Sequence, residues 1–192
     1  MARKKEFDVN DALHKAMLLF WEQGYEKTSM KELVSQMGVH KGSMYDTFGD
    51  KHTLYVNTLE HYFKLGQHII EQGISDTKSA KEAIRFIFNW AIEQEEEFPL
   101  GCLIVNTAVE LAKHDPEARQ WVQKGWDFTE HLVYELILAG QQSGEFSKML
   151  DAKEMSMIIY NSIIGLQVKA KIISDREKLN KIIDINLSFL DE

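Results

Sequence analysis

Residues 28–45, Thr28-Ser29-Met30-Lys31-Glu32-Leu33-Val34-Ser35-Gln36-Met37-Gly38-Val39-His40-Lys41-Gly42-Ser43-Met44-Tyr45, decide the fold. They read as two short helices joined by a tight turn. Ser29 and Glu32 form a Ser-x-x-Glu capping box, in which each side chain takes an orphan amide of the first turn. Met30, Leu33, Val34 and Met37 fall on one stripe at helical spacing. Gly38 supplies the permissive backbone that a sharp turn needs, and Val39, Met44 and Phe48 can face the same core. The other side carries His40, Lys41, Gly42, Ser43, Tyr45 and Thr47, all short or hydrogen-bonding. That suits a helix whose N-terminal end enters a major groove.

Outward from this segment the pattern stays helical. Strict apolar–polar alternation and Asn-Gly or Asp-Gly hairpin turns are absent, and Pro99 and Pro116 stand where apolar periodicity breaks. The class is all-α. Caps at Ser29, Asp115-Pro116, Asp151 and Ser174 help set the starts, and the spacing predicts helices over about 8–24, 29–36, 40–47, 51–73, 78–97, 101–113, 116–142, 151–173 and 176–190. A small head, 1–50, precedes a helical body, 51–192. The helix from Lys51 should run directly from one into the other.

Thr28-Ser29-Met30, Met37-Gly38-Val39, Lys41-Gly42-Ser43-Met44-Tyr45, Phe48 and Asp50-Lys51-His52-Thr53-Leu54 follow the order and spacing of a known family. The chain resembles the TetR family of transcriptional regulators over about residues 7–55, and six further helices fit that family's body. The resemblance implies a homodimer that binds double-stranded operator DNA and responds to a small-molecule effector, with repression as the simplest output. It places Thr28 and Ser29 on phosphate, Tyr45 and Lys51 on phosphates flanking the groove, and His40, Lys41, Gly42 and Ser43 nearest the base edges. Ser29 also reads as a plain helix cap, and Tyr45 as a half-buried packing residue. Arg3, Lys4 and Lys5 read either as extra DNA contacts or as a solvated tail.

A net charge of −8 looks wrong for a DNA binder. Residues 1–52 hold eight Lys or Arg and eight Asp or Glu, so the other 140 residues supply the whole deficit. A neutral head on an acidic body permits DNA binding through one end. The opening residues lack an apolar stretch of signal-peptide length, no run approaches membrane-span length, and a single cysteine excludes an intrachain disulfide. These features read as a cytoplasmic protein.

One head reads too few bases to be selective, so heads are expected in pairs. The apolar helices at about 151–190 are the expected dimer interface, carrying Met155, Ile158, Ile159, Ile163, Leu166 and Val168, then Leu179, Ile182, Ile183, Ile185, Phe189 and Leu190; the same side chains also suit packing inside one chain. Candidate ligand-pocket residues are Phe63, Phe86, Trp90, Cys102, Asn106, Trp126, His131 and Tyr134. A ligand between the middle helices would tilt the helix from Lys51 and change the spacing of the heads. Cys102 follows a Pro99-Leu100-Gly101 breaker at a helix N-terminus, where the helix dipole favours thiolate and a redox or electrophile sensor becomes possible; a small buried hydrophobe is the other reading. Glu93-Gln94-Glu95-Glu96-Glu97 reads as a cation-attracting or simply solvated stretch.

No His-Glu-x-x-His, Gly-x-Ser-x-Gly, phosphate-loop or dinucleotide motif occurs, so an enzyme is not expected. His61 and His68 lie two turns apart, too far to share a metal, and no cofactor is implied. A helical protein-interaction module without operator binding is the remaining rival.

Overall fold

The computed structural model describes residues 7–93 and 98–191. Arg3, Lys4, Lys5 and the Gln94–Glu97 part of the acidic stretch lie outside the described residues. Among these the chain forms nine helices and no strand: α1 (Val9–Gln23), α2 (Met30–Met37), α3 (Lys41–Phe48), α4 (Lys51–Ser75), α5 (Ala80–Ile92), α6 (Leu103–Glu110), α7 (Pro116–Ser143), α8 (Ala152–Lys169) and α9 (Arg176–Ser188).

Local chemistry sets most of these bounds. Ser29 and Glu32 make the reciprocal capping box, and Gly38 ends α2 in the left-handed region at φ 66°. Asp115 accepts the amides of Glu117 and Ala118 ahead of Pro116, and Asp151 does the same for α8. Three expectations need correction. The cap of α9 is Asp175, not Ser174, because the Asp175 carboxylate accepts the Lys178 amide. Helix α5 ends at Ile92, where Glu93 turns extended. Helix α6 is shorter than 101–113, since Gly101 sits at φ +89° and Leu111 leaves the helical region.

Two apolar clusters organise the packing. The first joins the head to the body: Phe20, Leu33, Met44 and Phe48 pack with Leu54, Tyr55 and Leu59 of α4, Leu103 of α6 and Val122 of α7. At its centre Tyr55 is buried edge-on against Phe20, with ring centroids 4.8 Å apart, and shares a 2.8 Å hydroxyl–hydroxyl hydrogen bond with Thr107. The second cluster lies within the body, from Ile70 through α5, α7 and α8 to Leu190. Helices α4 and α5 cross closely at Gly73, where an added Cβ would lie 1.9 Å from the Phe86 ring.

Candidate DNA-binding face and ligand cavity

Helix α3 is anchored from below by Met44, which is fully buried, and Phe48. Its outer side presents His40, Lys41, Gly42 and Tyr45 to solvent, with Ser43 half-buried. Tyr45 is 42% exposed, with enough free surface to meet a phosphate while part of its ring stays packed. His40 stands at the N-cap without making a side-chain cap bond, which leaves first-turn amides for an incoming acceptor. A Cβ on Gly42 would meet nothing within 4 Å, so nothing in the protein itself requires a glycine there.

The flanking residues differ from one another. The Ser29 hydroxyl accepts the Glu32 amide at 3.2 Å, and the Ser29 amide donates to the Glu32 carboxylate at 2.8 Å. Its two hydrogen bonds hold the Glu32 carboxyl below the ordinary carboxylate range, so Glu32 stays charged beside it. Lys51, at the first position of α4, lies with its ammonium 4.3 Å from the centre of the Tyr25 ring. Thr28 is a correction: it is fully buried and its hydroxyl donates to the Gly24 carbonyl at 2.6 Å. It fastens the turn before α2 and has no surface to offer a phosphate.

The body grips the head at several points. Glu110, at the end of α6, accepts the backbone amides of Tyr25 and Glu26 at 3.0 and 2.8 Å. His52 on α4 meets Asp115 at 2.7 Å. Burial works to raise the Asp115 carboxyl, but the Ala118 amide and His52 prevail and hold it below its usual value. His14 of α1 and His61 of α4 face each other with ring nitrogens 3.2 Å apart. Burial, then the neighbouring His14 and Lys64, push the His61 imidazole down. The head is therefore braced by α6 as well as by α4, and the first turn of α4 is itself fastened to the start of α7.

A cavity of about 70 Å³ lies inside the body. Its wall comes from five helices: Tyr62, Phe63, Gly66, Gln67 and Ile70 on α4; Ile87 and Trp90 on α5; Cys102 and Ile104 on α6; Gly125, Phe128 and Thr129 on α7; Tyr160, Ile163 and Gln167 on α8. Of the expected pocket residues, Phe63, Trp90 and Cys102 are brought together here. The other five are corrections. Phe86 is spent on filling the space over Gly73. Asn106 donates to the Trp21 carbonyl and accepts from Lys171, tying α6 to α1 and to the turn after α8. Trp126 is exposed. His131 and Tyr134 stack on each other, centroids 6.1 Å apart, beside a separate surface depression.

Cys102 is buried, and the Tyr62 hydroxyl donates to its Sγ at 3.3 Å. Burial pushes the thiol up from its ordinary value; bonds from Tyr62, Val105 and Ile104 and the charge of Lys171 pull the other way and do not win. Of the two readings of Cys102, the small buried hydrophobe is the one the structure supports, because desolvation outweighs the helix dipole. Tyr62, Gln67, Tyr160 and Gln167 are wall residues that sequence reading missed. The available signal was spacing: Tyr160 and Gln167 share an α8 face, as Tyr62 and Gly66 share one on α4. No group of three or more His, Cys, Asp or Glu able to hold a metal exists among the described residues, and none of the described helices is long and apolar enough to cross a membrane.

A braced helix-turn-helix head on a helical body with an internal cavity defines a class, that of DNA-binding transcriptional regulators. Residues 12–58 match the family described as bacterial regulatory proteins, tetR family, and residues 80–185 match the tetracyclin repressor-like C-terminal domain. The chain is 32% identical over 194 residues to the HTH-type transcriptional regulator YezE of Bacillus subtilis, covering 100% of both chains. It is 27% identical to the HTH-type transcriptional repressor ComR of Escherichia coli, over 99% of this chain and 92% of that protein. A cysteine mutant of the TetR family regulator CifR, complexed with 26 bp double-strand operator DNA, superposes with a TM-score of 0.86 at 26% identity, covering 97% of this chain and 98% of that one. The chain belongs to the TetR family.

Proposed function

We propose that this protein is a ligand-responsive repressor that binds a near-palindromic operator as a dimer and is released when a small molecule enters the body cavity. One observation carries the reading: α4 and α6 line the cavity, and the same two helices brace the head through His61 and Glu110. A ligand that repacks them alters the head's position and favours a pair of heads that no longer spans both half-sites. The expected tilt of α4 thereby gains a second arm in α6. The CifR complex, at 26% identity, supports operator binding. The functional division falls between a head, 1–50, and a body, 51–192.

On the head, Lys41 is the side chain best able to donate to guanine acceptors, with His40 and Ser43 beside it and Gly42 admitting close backbone approach. Ser29, Tyr45 and Lys51 hold phosphates. Dimerisation uses α8 and α9. Met155, Ile159, Ile163 and Leu166, with Leu179, Ile183 and Leu190, are buried within one chain, whereas Met157, Ile158, Val168, Ile172, Ile185 and Phe189 are exposed and form the pairing face. A protein with this role works in the cytoplasm, where the bacterial chromosome lies, and its regulator relatives give no reason to assign it catalysis. Selection from random duplexes tests the reading. Enrichment of a near-palindrome with half-sites one helical turn apart, about 34–36 Å, supports it. Absence of any enriched sequence would refute it.

A further inference from the structure

Resting on the cavity as the effector site, we infer that the effector is a neutral, mainly apolar molecule carrying a hydrogen-bond-accepting oxygen, such as a ketone, rather than a carboxylic acid or an amine. Among the described residues the wall of the main cavity contains no Asp, Glu, Lys, Arg or His. An ion placed there would lose its hydration with no countercharge, which ordinary burial cannot repay. Lys124 lies outside the wall with its ammonium 4.7 Å from the Phe63 ring centre and 4.5 Å from that of Trp121, and Lys171, whose charge reaches Cys102, is likewise not part of the wall. Glu71 takes a hydrogen bond from Gln67 at 2.8 Å on the exposed side.

The donors explain the oxygen. Through Tyr62, Trp90 and Gln167 the cavity adjoins a smaller hollow whose wall includes Trp21, Phe98 and the exposed Glu93. Trp21 is only 4% exposed, and its indole N–H has no partner among the described residues. An orphaned buried donor is costly, and native proteins rarely keep one without a use. The Tyr62 hydroxyl donates to the Cys102 sulfur, a weak acceptor that an oxygen would replace with profit. The Tyr62 hydroxyl, a donor held only by a poor acceptor in the wall of the main cavity, thus selects an uncharged acceptor there, and the buried Trp21 indole N–H is a second underused donor beside the adjoining hollow. At about 10–15 Å³ per water-sized site the main cavity holds about five such sites, so the molecule is small.

Four probes of similar size separate the possibilities by titration calorimetry on the full chain: cyclohexanone, methylcyclohexane, cyclohexylammonium and cyclopentanecarboxylate. Cyclohexanone should bind about tenfold more tightly than the hydrocarbon, the worth of one well-made hydrogen bond, and more tightly than either ion. Trp21→Phe should erase part of that preference and leave methylcyclohexane binding unchanged. Tyr62→Phe serves as an independent check should the first variant misfold. Equal or tighter binding of either ion, equal binding of the hydrocarbon, or no binding by any probe overturns the inference. A gel shift on the selected operator keeps the two claims apart: cyclohexanone that binds without releasing DNA defeats the repressor reading alone, while an ion that binds and releases DNA defeats the ligand class alone.

Discussion

The recognition face of α3 and the cavity of the body are built in opposite ways. The face comes from one contiguous stretch, Ser29 to Lys51, in which each outward residue is a few positions from a buried anchor such as Leu33, Met44, Phe48 or Leu54. The cavity gathers Tyr62, Trp90, Cys102, Phe128 and Gln167 from five helices spread over more than a hundred residues. A short local motif can be carried between proteins nearly intact, whereas a cavity wall can change one helix at a time. The two are joined by the first apolar cluster and by Glu110, so a ligand in one has a mechanical route to the other.

The largest effect tests whether head and body are one cooperative unit. Phe20→Ala, in the cluster that joins them, should cost about 3–5 kcal/mol and lower Tm in a single transition. Separate melting of the head would break the comparison by making the two regions independent. Next comes the face itself. Lys41→Ala should cost about 1–3 kcal/mol on the preferred operator and relax base choice at one position, while Lys51→Ala should weaken all sequences alike and lower the salt slope by about one phosphate. Competition gel shifts at several salt concentrations separate the two patterns.

Glu110→Gln sharpens the link. A carboxamide offers one acceptor where the carboxylate serves both Tyr25 and Glu26 amides, so the variant should lose about 1–2 kcal/mol and speed hydrogen exchange at those two amides. Unchanged exchange would mean that α6 does not brace the head. The smallest expected effect is in pH. The His61 imidazole is held below its ordinary value in the folded chain, so the unfolded chain takes up its proton first as pH falls. Stability should therefore drop below about pH 6.5, and His61→Gln should flatten that slope in denaturant titrations from pH 7.5 to 5.5.

What could be read in advance follows the same division. The Ser29–Glu32 box, the Gly38 turn and the Asp115-Pro116 start are local chemistry, and the structure has each as expected. Thr28 was misplaced because a threonine before a helix looks the same whether its hydroxyl faces DNA or the Gly24 carbonyl. In the body, Phe86 and Trp90 share an α5 face, yet only Trp90 reaches the cavity, because Gly73 on another helix receives Phe86. The Glu110 contacts span 84 and 85 residues of sequence, a separation over which periodicity carries no information. For Cys102 the helix position was visible but the walls that bury it were not, so the sensor and buried-hydrophobe readings could be separated only in the structure, which favours the second.

The central claim is that occupancy of the cavity controls the grip of the head. Gly66 lies in the middle of the α4 face that carries Tyr62, Phe63 and Ile70, and an added Cβ there would meet nothing within 4 Å. Gly66→Leu therefore places a permanent occupant in the cavity. The decisive measurement is the operator affinity of this variant, confirmed as folded and unable to bind cyclohexanone. The account predicts binding weakened by about tenfold or more, within the usual range of allosteric coupling, without any ligand present. A folded, cavity-filled variant that holds the operator as tightly as the parent chain would contradict it.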